Sequence, residues 1–194
     1  MKIRHIAARR IWDSRGRPTV EVEVTNEDGT VGLGIAPAGA SMGTREAVEL
    51  RDGGPSFGGR DVLQAVAGIG REIAPALHGH DVMDQAGIDA ILVALDGTPT
   101  RSRLGGNALV ATSLAVLQAA AAHARMPLWR HLAQGRAVRL PLPQIQIFGG
   151  GAHAGRRVDI QDFMVIATGA TSFAQALEMT AEVYRAAGEL MAAR

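Results

Sequence analysis

Residues 19–25, TVEVEVT, alternate valine with polar side chains at period two, the pattern of a strand with one buried face. Asn26, Glu27, Asp28 and Gly29 then give a turn signal, and residues 30–35 return as a second run, which predicts a hairpin. Residues 3–12 supply a third strand, so the first 36 residues read as a small antiparallel meander. Beyond a glycine-rich loop at 37–43 the period becomes helical. Thr44 is an N-cap candidate for a short helix over 44–51. Val62, Val66, Ile69, Ile73 and Leu77 predict a helix over 61–77, and Ile88, Ile91, Leu92 and Leu95 another over 84–95. An alanine-rich helix is expected over 107–124 and a shorter one over 128–134. The fold class of this first unit is α+β, a three-stranded meander plus helices.

The composition shifts near Gly135, and Leu140, Pro141, Leu142 and Pro143 suit only a strand edge or entry. The boundary is therefore placed there, giving domains 1–135 and 136–194. In the second, strands are expected over 144–148 and 159–166, separated by a glycine loop, and an amphipathic helix over 172–193.

A hydrophobic content of 47% in 194 residues allows a sizeable core. The formal charge of +1 gives no net electrostatic reason to expect nucleic acid or an anionic membrane as partner. Without cysteine there are no disulfides, thiolate nucleophiles or cysteine-based zinc sites, which suits the cytoplasm. The first residues lack an apolar h-region, and no run of about 18 apolar residues follows, so no targeting or membrane-spanning segment is expected.

Three places are candidates for chemistry. The loop Pro37 to Gly43 follows a strand, and either its amides face an anion or it is a tight connection with no ligand; Ser41 in it offers a hard oxygen to magnesium. The loop Gly149 to Gly155 carries His153 beside Arg156 and Arg157, where an imidazole can donate to a phosphate, assist proton transfer, or simply lie at the surface. Asp162 opens the apolar run Asp162-Phe-Met-Val-Ile, and a carboxylate there needs a partner if buried; the other reading puts Asp159 and Asp162 at the strand's wet end. The remaining histidines have no metal-ligand spacing.

Taken in order, these segments resemble the enolase family. Residues 11–21, IWDSRGRPTVE, are similar to the family's DSRGNPTVE signature with Arg17 in place of asparagine. Residues 37–43 resemble its PSGASTG loop, 46–53 its EALELRDG stretch, and LDGT at 95–98 and LGGNA at 104–108 its LDGT and LGANA segments. The resemblance implies a capping domain followed by the first elements of an incomplete TIM-type β/α barrel. It also implies a magnesium-dependent lyase of glycolysis that interconverts 2-phosphoglycerate and phosphoenolpyruvate, cytoplasmic and homodimeric. Carried over by position, Ser41 matches a ligand of the second magnesium, His153 a mobile-loop histidine near the phosphate, and Gln161 a substrate contact. Asp162 stands where the family has a glutamate of the proton network. Arg15 and Glu21 match positions at the dimer interface.

Ala38, Met42, Arg17 and Asp162 depart from the family pattern. A carboxylate shortened by one methylene withdraws by roughly 1 Å, a shift that can cost about a hundredfold in rate. A β/α barrel takes about 250 residues, more than remain after position 135, and Lys2 is the only lysine. The expectation is a chain inactive by itself, with the family's catalytic lysine and its carboxylate ligands beyond Arg194. The alternatives are a divergent paralogue acting on a phosphonate analogue and a non-catalytic interaction module.

Overall fold

The computed structural model describes residues 1–39 and 43–193. They form two compact units, Met1–Arg136 and Ala137–Arg194. In the first, strands β1 (Ile3–Trp12), β2 (Pro18–Asn26) and β3 (Val31–Ala36) make an antiparallel sheet in the order β1-β2-β3. The turn between β1 and β2 is closed by Asp13, whose Oδ1 accepts from the amides of Arg15 at 2.9 Å and Arg17 at 2.8 Å. The Arg17 amide leads in holding this carboxyl below its usual range. The aspartate of the DSRG signature therefore has a local, turn-forming job in this unit.

The alternation in β2 decides which face is covered. Val20, Val22 and Val24 are fully buried, whereas Glu21, Glu23 and Thr25 on the other face are only partly so. Against the valine face lies helix α4 (Gly106–His123), which presents Ala108, Ala111, Ala115, Val116 and Ala119. Short side chains let helix and sheet approach closely. A Cβ built on Gly34 would stand 2.1 Å from the Ala111 carbonyl oxygen, and one on Gly32 2.2 Å from that of Ala115. No side chain larger than hydrogen fits either position.

Three more segments complete the core through Val62, Ala65, Ile69, Ile73, Leu77, Ile88 and Leu92: α1 (Leu63–Gly68), a π-helical turn at Ile69–Ile73 running into α2 (Ala74–Leu77), and α3 (Gln85–Asp96). The widened turn has a covalent cause. Pro75 has no amide to donate and its ring crowds the preceding turn, and just before it Ala74 bonds back to the Ile69 carbonyl, five residues away. Helix α3 is capped by the Asp84 side chain and ends at Gly97, whose φ of 70° is the left-handed conformation glycine adopts freely. Asp96 is 2% exposed and accepts from the amides of Thr98 at 3.0 Å and Leu104 at 2.8 Å, with the Thr98 hydroxyl as a third donor. Burial works to raise its pKa, and these bonds overcome it, so the carboxyl lies below its usual range. The LDGT segment is thus a helix stop built around a buried carboxylate.

The expected helix over 44–51 does not form. Val48 donates to the Thr100 carbonyl at 2.8 Å and accepts from Gly106 at 2.7 Å, and Leu50 exchanges two hydrogen bonds with the Asn107 side chain. With its backbone groups committed to partners some fifty residues away in sequence, the segment stays extended after a turn at 44–46. Asp52 then turns outward to cap α1, accepting from the amides of Leu63 at 2.8 Å and Gln64 at 2.9 Å. The short helix α5 (Leu128–Ala133) ends the unit.

The second unit holds β4 (Gln144–Gly149) and β5 (Asp162–Ile166), paired antiparallel, and helix α6 (Phe173–Ala192) with Ser172 as N-cap. Strand β5 begins at Asp162 and not at Asp159 as the sequence pattern suggests, because residues 158–161 instead bond to the glycine loop before them. Among the described residues, no helix is long and apolar enough to cross a membrane.

Candidate active site

The glycine loop of the second unit owes its shape to close backbone approach. Gly150 donates to the Gln161 carbonyl at 2.7 Å and Gly151 to that of Val158 at 2.7 Å. A Cβ on Gly150 would fall 2.1 Å from the Ile160 carbonyl oxygen, so only glycine is accommodated. The loop then turns through a 3-10 segment, Gly151–Ala154, which ends at Gly155 with a φ of 63°. His153 sits inside that turn; its side chain lies outside what is described. The backbone of the His153 turn is thereby stitched to the segment that delivers Gln161 and Asp162.

Asp162 is the first residue of β5 and is exposed, at the strand's wet end. It is not an unpartnered acid. Gln146 of β4 donates to its Oδ1 at 2.6 Å and Gln161 to its Oδ2 at 3.3 Å. Gln146 reaches across because the β4–β5 register shifts between Gln146 and Phe148, a one-residue bulge that slants the pairing. Stacking of Phe148 on Phe163, with centroids 4.2 Å apart, holds the hairpin at that point. The carboxylate is therefore aimed by two amides, one before it in sequence and one across the strand pair. Gln146 is missing from the sequence-derived candidates. Its alternation in Gln144-Ile-Gln-Ile places it on the polar face of a strand, but only the bulge aims it at Asp162.

The other candidates are scattered over the first unit. Ser41 lies outside the described residues, as do Ala40 and Met42. Arg15 occupies the exposed β1–β2 turn. Glu21 lies on the face of β2 opposite the valines, partly buried and 2.5 Å from Arg9, which also reaches Glu23 at 3.5 Å. Arg15 and Glu21 do not meet each other. Among the described residues no three acids or histidines converge closely enough to hold a metal ion.

Comparison with known proteins follows the same division of the chain. Residues 3–132 match the family model "Enolase, N-terminal domain" and residues 137–194 match "Enolase, C-terminal TIM barrel domain". "Enolase 1" of Desulfitobacterium hafniense (strain Y51) is 50% identical over 186 residues, covering 96% of this chain and 43% of that protein. "Enolase" of Methanothrix thermoacetophila is 49% identical over 191 residues, covering 98% of this chain and 45% of that protein. The chain thus spans a little under half the length of these curated relatives. A three-stranded sheet capped by helices, a partial barrel, and likeness of this extent place the chain in the enolase family.

Proposed function

We propose that these residues serve an enolase, a lyase that interconverts 2-phosphoglycerate and phosphoenolpyruvate in glycolysis, with 1–135 as its capping domain and 136–194 as the opening of its barrel. The observation that carries the reading is the identity of about one residue in two to proteins named enolase along nearly the whole chain. The geometry around Asp162 supports it. A carboxylate fixed by Gln146 and Gln161 at the exposed end of a barrel-type strand, beside a glycine-shaped turn that carries a histidine, suits a site that meets a polar ligand at its rim.

In this reading His153 donates a hydrogen bond to the substrate phosphate, Gln161 contacts the substrate, and Asp162 belongs to the proton network of the elimination. Magnesium, when bound, stabilises negative charge developing on the substrate carboxylate. The described residues do not make a cation site by themselves, so the part assigned to this chain is one hydroxyl ligand from Ser41. Arg15 and Glu21 are assigned to a homodimer interface, and the protein to the cytoplasm.

The test is conversion of 2-phosphoglycerate by the protein as its gene encodes it, followed through the ultraviolet absorbance of phosphoenolpyruvate. Turnover that requires magnesium is expected, and a folded gene product with none would refute the assignment. The 194-residue chain alone is expected to be inactive, because Lys2 is its only lysine and no metal cluster is present among the described residues. Replacing Asp162→Glu tests the shortened carboxylate: a change of about tenfold or more in kcat with an unaltered fold is the expected result.

A further inference from the structure

Directly across the β4–β5 pairing from Asp162 stands Gly149, so no side chain faces the carboxylate from its own position in the ladder. Gln146 fills that vacancy from further along β4. Its cross-strand partner is Met164, which shares a face of β5 with Asp162. From that diagonal a long side chain reaches the residue two places along the neighbouring strand, and Nε2 of Gln146 donates to the Asp162 Oδ1 at 2.6 Å. The glycine is what admits it. A Cβ built on Gly149 would stand 2.7 Å from that Nε2, whereas the next atom outside the Gln146 side chain, the Gln161 carbonyl oxygen, lies at an ordinary 3.5 Å. Gly149 is also absent from the residues of positive φ. Its backbone therefore accepts an L side chain, and the group that such a side chain would displace is the Gln146 amide.

The contact also has a fitted length. Gln146 brings two methylenes to it and Asp162 one. With Nε2 and Oδ1 already 2.6 Å apart, a carboxylate one methylene longer has no room on the same line, and an amide one methylene shorter falls short of it. Gln161 holds the second oxygen, Oδ2, at 3.3 Å, so each carboxylate oxygen has its own donor. The stack of Phe148 on Phe163 lies between the Gln146 and Gly149 positions and fixes the register on which the diagonal depends. The short acid of this chain is thus matched by a long amide.

We propose that Gln146 is a positioning residue for the reaction, holding the Asp162 carboxylate in its working orientation through the Nε2–Oδ1 contact, with Gly149 as the opening that lets the amide in. The role rests on the lyase reading, in which Asp162 belongs to the proton network. Gln146 acts through Asp162 and does not itself touch the substrate.

The experiment is a reciprocal swap in the protein as its gene encodes it, with 2-phosphoglycerate as substrate and circular dichroism on each variant. Gln146→Asn and Asp162→Glu are each expected to lower kcat about tenfold, and the double variant, which restores the summed length, to return to within about threefold of wild type. Gly149→Ala should match the Gln146→Asn loss. KM should stay within about twofold in Gln146→Asn, since a residue that only aims Asp162 contributes no substrate binding. In the nitrogen-15-labelled 194-residue chain, the Gln146 side-chain amide resonances should be displaced by Asp162→Asn and by Gly149→Ala. Losses that simply multiply in the double variant, wild-type kcat in Gln146→Asn, or a raised KM with kcat unchanged overturn the proposal, as do amide resonances indifferent to Asp162→Asn. Absence of turnover in the unaltered gene product is a different failure, because it removes the lyase reading itself and the Gln146 role with it.

Discussion

Asp28 joins the β2–β3 turn to the end of α4, because its Oδ2 lies 2.7 Å from Nδ1 of His123 while its Oδ1 accepts from the Thr30 hydroxyl at 2.6 Å and amide at 3.0 Å. The Thr30 hydroxyl leads, with the Thr30 amide and His123 after it, in lowering the Asp28 pKa from 3.8 to about 2. A carboxyl depressed on folding stabilises the folded state fully above its unfolded value and loses that contribution as pH falls through its folded value. The window here runs from 3.8 down to about 2. Comparing thermal midpoints of wild type and Asp28→Asn should therefore show a gap that is constant above about pH 4 and closes toward pH 2. A gap independent of pH would show that Asp28 acts only through geometry. Asp162 stands out as a charge opening an apolar strand, but its two amide donors depend on a bulge and on the residue before it. A cross-strand partner set by a register shift leaves no periodic mark in the sequence.

Helix α4 crosses β3 in backbone contact. Gly32 and Gly34 interleave with Ala111, Ala115 and Ala119 so tightly that backbone atoms of the helix occupy the space of a Cβ. Replacing Gly34→Ala should cost about 1–3 kcal/mol in chemical denaturation, since the obstruction is backbone and cannot rotate away. Gly70→Ala, in the π-helical turn with nothing within 4 Å of the new Cβ, should be neutral or slightly stabilising. Equal losses at both positions would mean that the helix–sheet contact is looser than this geometry. Elements whose partners are their own sequence neighbours were readable in advance. The alternation of Val20, Val22 and Val24 marks β2, and the spacing of Ile88, Ile91, Leu92 and Leu95 marks α3, which the structure ends at Asp96. The Glu, Ala, Val and Leu composition of residues 44–51 suits a helix, while the bonds that decide their conformation come from Thr100, Gly106 and Asn107. Local propensity yields when tertiary partners satisfy the backbone.

Across the whole molecule, burial is unevenly shared between the two units. Every member of the main hydrophobic cluster, from Ile3 to Ala120, belongs to Met1–Arg136. Among the described residues of the second unit the buried apolar side chains are Ala167 and Ala176, while Leu140 is 80% exposed and Tyr184, Leu190 and Met191 are also exposed. Helix α6 is held at its start by the Ser172 cap and along its surface by Arg185, which pairs with Glu182 at 2.8 Å and Glu189 at 2.6 Å. Exposed pairs of this kind contribute little, because water screens the charges and both side chains lose freedom. The apolar area removed from water within the second unit is too small to offset the entropy of ordering its backbone to the extent the first unit manages. Hydrogen exchange followed by mass spectrometry on the 194-residue chain should therefore separate the units. Amides of β2 and α4 are expected to open only with global unfolding, and those of β4, β5 and α6 to exchange faster through local opening, by a factor of at least about a hundred. Equal protection in α4 and α6 would require apolar contacts for α6 of the kind now confined to the first unit, which would place the second unit inside a common cooperative core.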